Sequence, residues 1–180
     1  MAETGYGYGI WLVIEDDRIQ DSTQHIAHVT LVCNMNLDRA TDLYDMIEEH
    51  FNYNIPMLFI DLNEENKEGT LFDTGMYSAS DSDMDPISII NSSTKYAWGY
   101  YCSHSDMNIL KIEQMIREYM IENDFCGSMS PRLHITMEYD KDIFNIVQNV
   151  RESTFTERVK CTIKLVDITS NSCEKWKIIR

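Results

Sequence analysis

The chain has 180 residues, which is enough for one well-buried domain or for two small lobes that share a core. With 43% hydrophobic and 25% charged residues, it has the composition of an ordinary soluble globular protein. Its net charge of -15 argues against long duplex nucleic acid as a partner, because such binding needs many Lys and Arg contacts with phosphates. A small nucleotide or short oligonucleotide in a locally basic cleft is compatible with this charge.

The sequence carries no pattern typical of export, membrane insertion or metal binding. Its five cysteines are scattered without a CxxC pair, which predicts free thiols in a reducing compartment. Neither a signal peptide nor a membrane-spanning apolar run is present, and Ala2 excludes myristoylation. Asp81, Asp83 and Asp85 begin like a calcium loop, but Pro86 replaces the required glycine. We therefore expect a cytoplasmic protein with no membrane partner, no metal and no other cofactor.

The first half of the chain predicts strands around one amphipathic helix. In chain order we expect a strand over 8–14, a loop over 15–24, a strand over 25–33, a helix after the N-cap Asn36, and strands over 55–62 and 70–77. The helix stripe is Leu37, Ala40, Tyr44, Ile47 and Phe51. The last two strands are predicted to pair as a hairpin, and the Ser- and Asp-rich residues 78–93 to join the two halves.

The second half predicts a similar order. We expect a strand over 94–102, a helix capped by Ser103 or Ser105, a strand over 132–139, a helix capped by Asp140 or Asp142, and strands over 158–168 and 172–179. The inward stripes of the two helices are Ile109, Ile112, Ile116 and Tyr119, and then Ile143, Ile146, Val147 and Val150.

Two motifs, HVT at 28–30 and HIT at 134–136, occupy corresponding places in these halves. Of the five histidines, only His28 and His134 are followed at the second position by a hydroxyl residue. Residues two apart on a strand share a face, so each histidine lies beside its threonine. Imidazoles exchange protons near neutral pH and hydroxyls donate to phosphoryl oxygens, which suits phosphodiester chemistry. The alternative is that both are ordinary strand residues.

The repeated layout predicts an α+β protein of two similar lobes. After each histidine come the rest of a strand, a helix and two strands. We expect a single domain over 1–180 with lobes of approximately 1–92 and 93–180, whose termini can cross between lobes. A pseudo-two-fold relation would place both histidine faces on one central cleft.

These motifs and this layout resemble the two-histidine (2H) phosphoesterases, also called RNA-ligase-like or cyclic-phosphodiesterase-like proteins. The resemblance implies a bilobal fold with two pseudo-symmetric antiparallel sheets, helices on the outside and a central cleft. It implies metal-independent action on 2′,3′-cyclic phosphates, 2′-5′-linked oligonucleotides, RNA ends or cyclic nucleotides. By match, His28 and His134 are the catalytic residues, and Thr30 and Thr136 bind phosphate.

Two further residues are predicted to contact substrate. Some cyclic phosphodiesterases of the family carry a tyrosine three residues past the second hydroxyl residue, where Tyr139 stands. Strict alternation puts Tyr139 on the opposite face from Thr136, so this role needs a bend or the end of the strand. Arg132 shares strand parity with His134 and would balance phosphate charge, unless it is a solvated strand-end arginine.

The sequence thus predicts a phosphodiesterase in which one neutral imidazole acts as general base and one protonated imidazole as general acid. One alternative is a binding protein that sequesters a nucleotide in the same cleft, and another is an interaction protein with an acidic surface. Aromatic residues could stack a base or belong to the core: Tyr8, Trp11, Trp98, Tyr100 and Tyr101. His25 is out of phase with His28 and is expected to be structural.

Overall fold

The structure, a computed structural model, describes residues 6–62, 70–73, 96–130, 132–140, 142–149, 158–170 and 172–180. Within these ranges the chain forms eight strands, four α-helices and one 3-10 helix. The strands are β1 (Tyr8–Ile14), β2 (His28–Met35), β3 (Leu58–Asp61), β4 (Thr70–Asp73), β5 (Tyr96–Tyr101), β6 (His134–Asp140), β7 (Arg158–Asp167) and β8 (Lys177–Ile178). The α-helices are α1 (Asp17–Gln20), α2 (Leu37–His50), α3 (Met107–Glu122) and α4 (Ile143–Asn149), and the 3-10 helix is Cys173–Lys175.

All described strand pairs are antiparallel and belong to one sheet, in the order β3-β7-β1-β2-β6-β5-β4, with β8 beside β7. The α+β class is therefore confirmed. Two groups of strands meet at the β2–β6 junction, where only Val29 and Ile135 are in register. The predicted two sheets thus take the form of one continuous sheet with a narrow middle.

The helices cover one face of this sheet. Helix α2 begins after Asn36, whose side chain accepts a hydrogen bond from the Arg39 backbone N–H at 2.9 Å, as the sequence predicts. The buried stripes of α2 and α3 join the main core, together with Ile19 of α1 and Ile146 of α4. Each fully buried Ile or Leu stabilises the fold by roughly 1.5–3 kcal/mol through removal from water.

The other face carries a smaller apolar cluster. It comprises Trp11, Val166, Ile168, Cys173 and Trp176. Trp11 and Val166 come from the sheet, whereas Cys173 and Trp176 come from the C-terminal segment, defined here as residues 172–180. This segment passes over the side of β1 and β2 that the helices leave open.

Several predictions about elements are wrong. Strands β3 and β4 do not form a hairpin, because β3 pairs with β7 and β4 pairs with β5. The two strands lie at opposite edges of the sheet, and β3 pairs there with a strand that is distant in the sequence. The predicted loop over 15–24 contains α1, because the Asp16 side chain accepts from the Arg18 backbone N–H and caps a short turn.

Helix caps and ends also differ from the predictions. Helix α3 is capped by Asp106 instead of Ser103 or Ser105, since the Asp106 carboxylate accepts from the Asn108 backbone N–H at 2.9 Å. In α4, Ile143 and Val147 are 40% and 52% exposed, so only Ile146 of the described stripe is inward. Over the predicted strand 172–179 the chain forms the 3-10 helix and the two-residue strand β8.

A β-bulge in β2 changes which face its later residues present. Trp11 pairs with Thr30 but Ile10 pairs with Val32, so Leu31 is an extra residue in β2. Leu31 and Val32 both enter the main core, and Cys33, which strict alternation would place on the same face as Leu31, packs on the opposite face. Beyond the bulge, the side chains of β2 therefore lie on the faces opposite to those that strict alternation predicts.

Some predictions fall outside the described residues: the joint over 78–93 with Asp81, Asp83 and Asp85, the lobe boundary at 92–93, residues 74–77, and Val150. The strands of the described part cross between the predicted lobes, because β4 pairs with β5 and β7 pairs with β1 and β3. No helix in the described ranges is long and apolar enough to cross a membrane.

Candidate functional site

The two histidine motifs lie on neighbouring strands in the middle of the sheet. Val29 of β2 is opposite Ile135 of β6. Continuing this register by one residue each way sets His28 opposite Thr136 and Thr30 opposite His134. Directly opposite residues share a face with Cβ atoms about 4.5–5.5 Å apart, and diagonal neighbours are about 7–8 Å apart. The fold thus brings the four predicted residues together, with the histidines on one diagonal.

Both imidazoles are held by the same local hydrogen bond. His28 Nδ1 lies 2.6 Å from the carbonyl oxygen of Ile26, and His134 Nδ1 lies 3.1 Å from that of Arg132. Each carbonyl belongs to the residue two positions earlier, and each neutral ring donates its Nδ1–H to it. The proton is therefore fixed on Nδ1, which leaves Nε2 as the basic nitrogen of each ring.

His28 is deeply buried. Its side chain is 3% exposed, and its ring stacks on Trp11 with ring centroids 3.4 Å apart and an interplanar angle of 9°. Burial lowers the pKa of His28 well below its usual value, and the charges that His25 and His134 would carry lower it further.

His134 is only partly buried. Ser130 Oγ lies 3.3 Å from its Nδ1, and its ring meets the edge of Tyr101 at 6.4 Å between centroids. Burial lowers the pKa of His134, and its hydrogen bond with the Arg132 carbonyl opposes this effect. The two histidines therefore differ in burial, and His28 is the harder of them to protonate.

Tyr139 reaches the site face because of a β-bulge in β6. Trp98 pairs with Glu138 but Gly99 pairs with Thr136, so Met137 is an extra residue in β6. Met137 enters the main core, whereas Tyr139 packs on the opposite face, near the Thr136 side chain. This bulge supplies the bend that the sequence prediction for Tyr139 requires. Burial raises the pKa of Tyr139, so the phenol stays neutral.

Arg132 lies on the rim of the site. It is exposed, and its guanidinium carbon stands 4.0 Å from the centroid of the Tyr101 ring. Tyr101 is paired with His134 across β5 and β6. The structure thus places the Arg132 side chain beside the second motif, on its solvent side.

His25, which the sequence predicts to be structural, lies beside the two motifs. Its side chain is 6% exposed, and its Nε2 lies 3.1 Å from the Thr136 carbonyl oxygen. Its ring meets the edges of Tyr139 at 5.0 Å and of His28 at 5.7 Å between centroids. Burial lowers the pKa of His25 to about 4, so the neutral ring donates from Nε2 to the carbonyl. The alternation of side chains along β2 does not predict this position of His25, because His25 lies before the strand begins.

The aromatic residues divide between the two faces. Trp98 and Tyr100 belong to the main core with the helices. Trp11 stacks on His28, and Trp176 of the C-terminal segment lies 6.1 Å from the His28 ring between centroids. Trp11 was a base-stacking candidate without a distinguishing signal. No pattern in the sequence predicts that Trp176 lies near the two motifs, because only the path of the C-terminal segment brings it there.

Across the described ranges, no group of three or more His, Cys, Asp or Glu side chains is arranged to hold a metal ion. Protein-family models were compared with the chain and none matches, and no curated protein matches it either. The resemblance to the 2H phosphoesterases therefore stays a prediction that rests on the two motifs and on the site they form.

Proposed function

We propose that this protein is a metal-independent phosphodiesterase with a bilobal 2H-phosphoesterase-like fold, acting on a small nucleotide or a short oligonucleotide. The observation that supports this most is the pairing of the two HxT motifs on adjacent strands, with both Nδ1 atoms hydrogen-bonded to the carbonyl two residues earlier. Two basic Nε2 atoms and two hydroxyls then serve one phosphate group.

The unequal burial of the histidines suggests their roles. His28, the more buried ring, is neutral at physiological pH and acts as general base on water or on a ribose hydroxyl. His134, the less buried ring, is protonated more readily and acts as general acid on the leaving oxygen. A phosphate bound between the rings favours protonation of His134, because opposite charges at close range stabilise each other.

The two threonines complete the site. Thr30 and Thr136 stand on the other diagonal, so their hydroxyls can donate to the non-bridging oxygens of the same phosphate. Donors aimed at charge that develops in the transition state each lower the barrier by a few kcal/mol. Tyr139 and Arg132 would contact the rest of the substrate from the two ends of β6.

A second candidate function is a protein with the same fold that binds or sequesters a nucleotide without cleaving it. The 3% exposure of His28 favours this candidate, since a general base must reach its proton donor. Catalysis requires the cover over His28, which includes Trp176, to give way when substrate enters. Tight binding without product would support sequestration.

Turnover of a substrate panel in EDTA tests the proposal. The panel holds 2′,3′-cyclic nucleotides, 2′-5′-linked and 3′-5′-linked oligonucleotides and cyclic dinucleotides. We expect activity that survives the chelator and falls at least about 100-fold in His28→Ala and in His134→Ala, since each removes one proton-transfer group. His50→Ala is the matched control, because His50 is exposed at the end of α2.

The pH profile of kcat/KM tests the assigned roles. Because burial lowers both histidine pKa values, we expect a bell whose maximum lies below pH 6.5. The residual activity of His28→Ala should no longer fall at low pH, because the general base is absent. The residual activity of His134→Ala should no longer fall at high pH, because the general acid is absent. Loss of activity in EDTA, or full activity in both variants, contradicts the proposed function.

A further inference from the structure

Strand β7 carries a row of cations on the same face as the site. Arg158, Lys160 and Lys164 alternate with residues of the main core, so their side chains leave the opposite side of the sheet. Lys164 is paired with Trp11 of β1, and Trp11 is paired with Thr30 of β2. One line across the strands therefore leads from Lys164 through Trp11 to the first motif.

The three cations differ in their charge partners. Arg158 Nε lies 3.7 Å from an Asp61 carboxylate oxygen, and Lys160 Nζ lies 2.7 Å from one of Glu15. Lys164 has no ion pair within 4.0 Å among the described residues. The interaction of Lys164 with the Glu15 carboxylate is weak. The pKa of Glu15 is lowered mainly by its hydrogen bond with Lys160, and the charge of Lys164 contributes least to this lowering.

Of the three cations on this face of β7, Lys164 is the one without a carboxylate partner among the described residues. Acidic side chains are numerous enough to neutralise each lysine, and the two neighbouring cations of β7 are neutralised in this way. Lys164 is also partly buried, as expected when a lysine packs its stem along apolar surface and keeps its ammonium in water. A bound anion would compensate the charge of this ammonium.

The distance from Lys164 to the proposed phosphate site fits a second phosphate of one substrate. Neighbouring strands are about 4.8 Å apart, so two spacings set the Lys164 backbone roughly 10 Å from that of Thr30. The long flexible stem of lysine shortens this gap for its ammonium. On the other side of the site stands Arg132, so cations flank the two motifs at both ends of the line.

We propose that Lys164 binds a second phosphate group of the substrate, one linkage away from the phosphate held between His28 and His134. This inference rests on the proposed function and narrows its substrate class. A nucleotide with a terminal phosphate beyond the reacting diester would be preferred to a cyclic mononucleotide, which carries only one phosphate.

Equilibrium binding of matched compounds tests this subsite. The probes are 2′-5′-linked and 3′-5′-linked diadenylates, each with a 5′-phosphate, with a 3′-phosphate or with neither. Calorimetry in a His134→Asn background prevents turnover from interfering. We expect a terminal phosphate to tighten binding about fivefold for at least one linkage, the upper range for one partly exposed ion pair. Raising the ionic strength to about 0.5 M should shrink this advantage.

The variant Lys164→Gln should lose the advantage, and the matched control Lys160→Gln should keep it, because Lys160 is already paired with Glu15. The inference is overturned if Lys164→Gln retains the advantage, or if no terminal phosphate improves binding for either linkage. Absence of turnover across the substrate panel would contradict the proposed function instead, and the binding difference at Lys164 could persist in that case.

Discussion

At the scale of single residues, the site depends on how the imidazoles are fixed as much as on their presence. The same hydrogen bond, from Nδ1 to the carbonyl two residues earlier, orients His28 and His134 on separate strands. His25 adds a third imidazole, whose Nε2–H donates to the Thr136 carbonyl. This contact links the chain before β2 to β6 beside the single registered pair of the junction. His25 therefore holds the backbone of Thr136.

The buried His25 predicts a pH dependence of stability. Its pKa is about 4 in the folded protein and about 6.5 when unfolded, so the unfolded chain binds the proton more readily. The stabilisation is complete above pH 6.5 and is lost as pH falls toward 4. Between pH 7.5 and 5.5 the free energy of unfolding should fall by about 1 kcal/mol through His25 alone.

Urea unfolding at both pH values, for wild type and for His25→Gln, measures this loss. The glutamine keeps a hydrogen-bond donor for the Thr136 carbonyl but cannot be protonated, so its loss between the two pH values should be smaller by that amount. Both pH values lie above the sequence pI of about 4.5, which limits precipitation. Equal losses in the two proteins would show that His25 is not buried as a neutral ring.

At the scale of elements, the sequence predicts local structure well and pairing poorly. Strand β1 and the start of α2 are confirmed, because alternation and the Asn36 cap are properties of a few neighbouring residues. Of the predicted α2 stripe, Ala40, Tyr44 and Ile47 are buried, whereas Leu37 is 43% exposed and Phe51 lies beyond the end of the helix. The β3–β4 hairpin is wrong, because strand partners are chosen by distant residues. Tyr139 and Cys33 change face through bulges, which strict alternation does not reveal.

The C-terminal segment predicts unequal reactivity of the histidines. Trp11 and Trp176 cover His28, whereas His134 is partly open. Diethyl pyrocarbonate should therefore modify His50 and His134 faster than His28, by at least about tenfold, as mapped by mass spectrometry. Trp176→Leu should raise the rate at His28 while a thermal unfolding curve shows that the variant is folded. Equal rates at His28 and His50 in the wild type would contradict this cover.

At the scale of the whole molecule, charge and architecture act together. The net charge of -15 repels a polyanion, while the site face carries Arg132 and Lys164 near the two motifs. The helices occupy the opposite face of the sheet. The charge of these two side chains is thus opposite in sign to the net charge, as the proposed ligand with few phosphates requires.

This charge distribution predicts selectivity by length. A duplex RNA of about 30 base pairs should not be shifted by the protein in a gel at physiological salt, because binding needs several phosphate contacts at once. A dinucleotide that carries a terminal phosphate should bind under the same conditions in calorimetry. Salt-dependent retention of the duplex would show a basic surface that the net charge does not indicate.

The sequence by itself determined the chemical groups, the α+β class and most helix and strand positions, since these depend on residue type and on short-range periodicity. Only the tertiary structure decided that β2 and β6 are neighbours, that Tyr139 shares the face of Thr136, and that Trp11, His25 and Trp176 enclose His28. Register, bulges and the path of the C-terminal segment follow from packing among residues far apart in the chain. Local patterns carry no information about such packing.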